Sequence, residues 1–104
     1  MARKRFKIIW TPKGEKGLQQ VRDYVAEDNP RAASALAKRI RAEVRLLKDF
    51  PERGAMIEEL NDPSVRDIWV GAYRVIYHFT GSEVYVVSVQ HGARLLKLRD
   101  FFPE

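Results

Sequence analysis

The sequence predicts an α+β domain ordered β-α-α-β-β-β with a short C-terminal helix, in which a helical hairpin packs on one face of a mainly antiparallel four-stranded sheet. Three observations carry that reading. Two helix-start signals, Thr11-Pro12 and Asn29-Pro30, each precede a run with apolar residues at helical spacing. The helical period then vanishes, and VRDIWV, AYRVIYHF and EVYVVSVQH follow, rich in β-branched and aromatic residues and separated by Gly71 and by Thr80-Gly81-Ser82. Finally, 104 residues fit one domain over residues 1–104 with one modest core, since a fold of this size buries roughly two thirds of the surface its unfolded chain exposes.

Each element follows from local chemistry. Phe6, Ile8 and Trp10 alternate with Lys7 and Ile9, the period-2 pattern of a strand with one buried face. The Thr11 oxygen is placed to accept an orphan backbone N–H, and Pro12 suits the first helical position. Leu18, Val21 and Val25 follow at helical spacing, with Tyr24 beside them. At Asp28-Asn29-Pro30 the proline disfavours helical conformation for Asn29 and presets the next helix, so two antiparallel helices form with almost no linker. In the second, Ala33, Leu36, Ile40, Val44 and Leu47 make an apolar stripe, while Lys38, Arg41, Arg45 and Lys48 lie on another face at spacings of three and four.

Phe50-Pro51 ends that helix, and turn signals from Glu52-Arg53-Gly54 to Asn61-Asp62-Pro63-Ser64 mark the expected irregular segment. Three strands then form a meander. On the middle one Tyr73, Val75, Tyr77 and Phe79 share one face, and Arg74, Ile76 and His78 share the other. The tail ARLLKLRDFFPE predicts one or two helical turns, with Leu95, Leu98 and then Phe101 or Phe102 on one side, ending at Pro103. The face of the sheet not covered by the hairpin, or its edge, is left for a partner.

Composition narrows the function classes. Hydrophobic residues make up 45% of the chain and charged ones 32%, which excludes disorder as the working state. There is no cysteine, so neither a disulfide framework nor a thiolate metal site can form, and a cytoplasmic location is the default expectation. The opening MARKRFKIIW is basic but lacks the apolar stretch of a signal peptide, and no run approaches the length of a membrane span. His78 and His91, the two histidines, belong to different strands without a carboxylate at ligand spacing, so no metal is expected. No phosphate-cradling glycine loop is visible, so no nucleotide cofactor is expected either.

The net charge of +5 is unevenly spread. Arg3, Lys4, Arg5 and Lys7 bring +4 to residues 1–10, and residues 30–50 add another +4. Residues 51–67 carry −3, from Glu52, Glu58, Glu59, Asp62 and Asp67 against Arg53 and Arg66. Such asymmetry suits an anionic partner, either nucleic acid or an acidic protein.

Taken together, the opening strand ending in Trp10, the hairpin broken at DNP, the FPERG turn, VRDIWVGAYRVIY and the closing VVSVQHGAR resemble the RelE/ParE toxins of type II toxin–antitoxin systems. The resemblance runs over nearly the whole chain. It implies a growth-inhibiting protein neutralised by a cognate antitoxin of ribbon-helix-helix type, whose flexible C-terminal segment wraps the toxin while a separate domain binds operator DNA. The toxin alone is then expected to bind no DNA sequence-specifically. RelE-like members enter the ribosomal A site and cut mRNA, whereas ParE-like members inhibit DNA gyrase. The first requires catalysis and the second requires binding.

RNA cleavage by 2′-hydroxyl attack needs a proton acceptor, a proton donor and cations around the phosphorane. By the resemblance, Arg74 and Arg94 stand where the family contacts phosphate, His91 is a candidate acid or base, and Glu58 or Glu59 lies where nuclease relatives place a lysine or glutamate base. Each has a plainer reading: Arg74 pairs with Asp67 or Glu83 across the meander, His91 meets solvent, and the glutamates are solvated loop acids. Two departures count against the nuclease. The loop that is basic in RelE-like enzymes is here EELND, and the segment after Arg94 lacks a tyrosine or histidine. The sequence therefore favours a ParE-like inhibitor of gyrase, with Arg66, Arg74, His91 and Arg94 forming a polar patch for the target or the antitoxin. A ribosome-dependent mRNA endoribonuclease is the first alternative, and a non-toxic antitoxin-binding or regulatory module the second.

Overall fold

The computed structural model describes residues 5–93. These form β1 (Lys7–Trp10), α1 (Pro12–Ala26), α2 (Pro30–Arg45), β2 (Ala55–Met56), β3 (Val65–Val70), β4 (Tyr73–Phe79) and β5 (Glu83–His91), with 3₁₀ turns at Leu46–Lys48 and Glu58–Leu60. The expected C-terminal helix and Arg94 lie outside the described residues, as do Arg3 and Lys4. No described helix is long and apolar enough to cross a membrane.

Both helices start where the threonine–proline and asparagine–proline pairs place them. Thr11 Oγ1 accepts the Gly14 N–H at 3.0 Å and donates to Val86 O at 2.8 Å, so one hydroxyl caps α1 and ties it to the sheet. Asn29 Oδ1 accepts the Ala32 N–H at 3.1 Å and caps α2 in the same way. At Gly17, α1 comes so close to β5 that an added Cβ would lie 2.6 Å from Val89 O, a separation a real side chain does not tolerate.

The sheet has five strands in the order β1-β5-β4-β3-β2, one more than the four expected. The extra strand, β2, pairs Ala55 with Asp67 and Met56 with Arg66 inside the segment expected to be irregular. Two residues are too few for an alternating pattern to show. β1 runs parallel to β5, and the remaining pairs are antiparallel. Between β4 and β5 the register steps from Ile76↔Ser88 to Tyr77↔Val86, leaving Val87 as a bulge.

The apolar stripes meet as the sequence dictates. Leu18 and Val21 of α1 and Ile40 and Val44 of α2 pack with Leu47 on Ile68, Val70, Val75, Tyr77, Val84, Val86 and Val89. Each such side chain stabilises the fold by about 1.5–3 kcal/mol when fully buried. The opposite face is not wholly open. Ile57 packs on Val65 and Ile76 beside Leu60 and Val87, so the 3₁₀ turn covers part of that face with a second, smaller core.

Candidate functional site

Strand register decides which candidate residues can act together. Tyr73 is the direct partner of His91, so both side chains point to the helix-covered face. Arg74, one residue along, pairs with Gln90 and with Trp69 and points to the opposite face. The sheet therefore separates Arg74 from His91 rather than joining them in one patch.

On its own face Arg74 is committed. Its Nε donates to Asp67 Oδ2 in an ion pair that is almost entirely buried, with the aspartate side chain 6% and the arginine side chain 15% exposed. The guanidinium also lies 5.7 Å from the centre of the Trp69 ring, which is itself half exposed. Of the two carboxylates expected to compete for Arg74, Asp67 holds it. Glu83 instead accepts the Tyr85 hydroxyl at 2.9 Å, and that bond to a carboxylate raises the Tyr85 phenol above its ordinary pKa. Beside the pair, Gln90 is buried, its Oε1 accepting from Ser88 Oγ at 3.4 Å and its Nε2 without a partner among the described residues.

Arg66 is also engaged, but elsewhere. It pairs with Tyr77 and so shares the helix-covered face, at the β2 side of the sheet. Its Nε donates to Pro63 O at 3.0 Å, and Nη1 donates to Gly54 O at 3.0 Å and Glu52 O at 3.3 Å. Tyr77 completes this clamp: its hydroxyl donates to Pro51 O at 2.6 Å and accepts the Gly54 N–H at 3.0 Å. Burial pushes the Tyr77 phenol above its ordinary pKa. Arg66 and Tyr77 thus fix the FPERG turn instead of presenting a docking cation.

His91 is exposed. Its Nδ1 accepts the Ala93 N–H at 3.1 Å, which leaves the proton of the neutral ring on Nε2, and its ring meets Tyr73 edge to face at 5.5 Å. It stands at the mouth of a groove of about 330 Å³ between α1 and β5, lined by Gly17, Gln20, Val21, Tyr24, Tyr73, Val89, Gln90 and His91. Tyr24 is 67% exposed there. Sequence reasoning missed Gln20 and Tyr24 as surface; the available signal was an aromatic standing beside, not within, the apolar stripe of α1.

The nuclease set is dispersed in the same way. Glu58 and Glu59 are exposed on the 3₁₀ turn, whose neighbour Ile57 packs on the face opposite His91. Asp62 next to them is a turn residue: the Ser64 hydroxyl and N–H donate to its Oδ1 at 2.7 and 2.9 Å and hold it below the usual carboxylate pKa. Among the described residues no group of three or more histidines and carboxylates is placed to hold a metal ion.

Comparison with known proteins agrees with this architecture. The family model described as ParE toxin of type II toxin-antitoxin system, parDE, matches residues 8–96. Two toxins of Caulobacter vibrioides are similar over most of both chains. Toxin RelE2 is 30% identical over 85% of this chain and 97% of its own, and Toxin RelE1 is 26% identical over 84% and 94%. Among solved structures, the fold is similar to a chain of the chromosomal ParDE system from P. aeruginosa, with TM-score 0.69, 21% identity, and 84% and 96% of the two chains covered. It is also similar to a mutant of E. coli toxin RelE in the free state, with TM-score 0.61, 14% identity, and 86% and 85% covered. With 89 matched positions spanning both helices and all five strands, the chain belongs to the RelE/ParE family of toxins of type II toxin–antitoxin systems.

Proposed function

We propose that this toxin acts by binding, as a ParE-like inhibitor of DNA gyrase, and that a cognate antitoxin neutralises it. One observation carries the choice between binding and cleavage. The phosphate-contacting arginine a nuclease needs, Arg74, is neutralised by Asp67 and faces away from His91, the one candidate acid or base at the end of β5. Stabilising a phosphorane requires cations aimed at the same atom as the proton-transfer group. The acidic turn carrying Glu58 and Glu59 also repels a phosphate backbone.

The groove between α1 and β5 supports the partner reading. An exposed tyrosine beside buried Val21 and Val89 suits an apolar anchor from a segment that orders on binding, with His91 and Gln20 as polar contacts at the rim. We assign it to the antitoxin's flexible C-terminal segment. Arg66 and Arg74 contribute to the interface through the shape of the turn and sheet they hold.

A second reading, ribosome-dependent mRNA cleavage, is favoured by the names of the two Caulobacter relatives. Expression in cells without antitoxin separates the readings. A DNA-damage response with continuing translation supports the gyrase inhibitor. Immediate translation arrest with truncated transcripts supports the nuclease, and normal growth with soluble protein supports the non-toxic module.

A further inference from the structure

The basic stripe of α2 takes no part in the groove, the sheet faces or the FPERG clamp. Arg31, Ser34, Lys38, Arg41 and Arg45 follow one another at spacings of three and four, so they share one helix face and recur about once per turn, roughly every 5.4 Å. None of the cations is buried. Where the stripe faces α1, Ser34, Ala37, Lys38, Arg41 and Arg22 line a cleft of about 150 Å³. Arg22, Lys38 and Arg45 have no ion pair among the described residues.

We infer that this cleft and stripe bind the sugar–phosphate backbone of a nucleic acid, without sequence preference. The cleft has the volume of about five waters, enough for a phosphate group but not for a nucleotide. Its walls supply one hydroxyl and three cations. Arg41 is pre-oriented because its guanidinium stacks 4.7 Å above the Trp10 ring. A guanidinium so held presents its fork to phosphate with little further loss of freedom.

One of these cations, Arg41, already holds a carboxylate. Glu15 accepts from Arg41 Nη1 and Nη2 at 3.3 and 3.1 Å, and both side chains are nearly half exposed, 47% for the glutamate and 45% for the arginine. Exposed pairs contribute little, so a phosphate can displace Glu15. An acidic protein segment fits the stripe less well. Protein interfaces rest on apolar anchors, and the exposed large apolar side chains among the described residues, Tyr24, Leu46, Phe50, Met56 and Trp69, lie off it. Glu58 and Glu59 stand on a turn packed against the sheet face away from the helices, which gives the molecule a polarity that orients the basic face toward a polyanion.

The test uses the full chain with a mixed-sequence duplex DNA and a single-stranded RNA of equal length, followed by fluorescence anisotropy from low to physiological salt. Wild type binds at least one of the two with salt-dependent affinity. K38Q/R45Q weakens that binding roughly tenfold at low salt and lowers the slope of log affinity against log salt by about 2. E15Q, which removes the competing carboxylate, binds about threefold tighter, a gain that misfolding cannot produce. Affinity and slope unchanged in both variants, or no binding of either nucleic acid, overturns the inference. Binding of a polyglutamate peptide that the variants lose, with nucleic acid unbound, overturns it in favour of an acidic protein. No gyrase is present, so this outcome is independent of the proposed target.

Discussion

Arg74 and His91 point to opposite faces of the sheet, although both stand within two register positions of each other on neighbouring strands. The register pairing of Tyr73 with His91 forces this, because adjacent residues on β4 alternate sides. The two side chains therefore do not converge on one face. His91 is free for contact at the groove mouth, and Arg74 belongs to the interior.

Breaking the Asp67–Arg74 pair should therefore cost stability. D67N leaves a buried guanidinium without its counter-charge, and the expected loss is about 3 kcal/mol in urea unfolding. The double variant D67N/R74M should recover most of it, since no charge is then stranded. A loss of less than 0.5 kcal/mol, roughly the scale of an exposed pair, would mean that the pair is not buried in solution.

Tyr77 links β4 to the FPERG turn, and Y77F removes both of its hydrogen bonds while keeping the ring. The expected cost is about 1–3 kcal/mol, because the Pro51 carbonyl and Gly54 N–H lose their partner. The phenol's pKa is raised in the folded state, so the folded chain holds that proton more tightly than the unfolded chain does. Its contribution is complete below the ordinary tyrosine pKa of about 10 and falls away as pH rises through the higher folded value. Stability measured from pH 9 upward should fall for wild type, and the part of that fall due to Tyr77 should be absent in Y77F.

The Gly17 contact tests the seating of α1. G17A adds a Cβ that meets Val89 O at 2.6 Å, so the helix must shift away from β5. The expected destabilisation is about 1–3 kcal/mol by thermal melting. The groove is lined by the same residue, so antitoxin affinity should drop along with stability.

Tyr24 separates binding from folding. At 67% exposed it contributes little to the core, so Y24A should melt within about 0.5 kcal/mol of wild type. As an aromatic anchor it should weaken antitoxin binding by roughly 2 kcal/mol, about thirtyfold in Kd by calorimetry. Unchanged affinity would move the antitoxin to another surface.

Much of the fold was legible in residues that act locally. Thr11-Pro12 and Asn29-Pro30 mark helix starts through their own capping bonds, and β3, β4 and β5 fall where the apolar period changes. What the sequence hid depends on non-local partners. β2 is a strand because β3 offers its edge and Arg66 grips the adjacent turn, and its two residues carry no period of their own. The bulge at Val87 and the parallel seat of β1 are likewise set by neighbours. For the candidate site, the alternation of β4 was legible, whereas its register with β5, which sets Arg74 and His91 apart, needed the strand pairing, and Gln20 and Tyr24 became visible as groove residues only once α1 was seated on β5.

The most direct test of inhibition without cleavage is a titration of the purified chain into a gyrase supercoiling reaction, run in parallel with translating ribosomes and a reporter mRNA. The account predicts that supercoiling is inhibited, that the mRNA stays intact, and that H91Q alters neither outcome by more than about threefold, on the scale of a single rim contact. Full supercoiling at saturating toxin, with mRNA cleavage that H91Q abolishes, would contradict it.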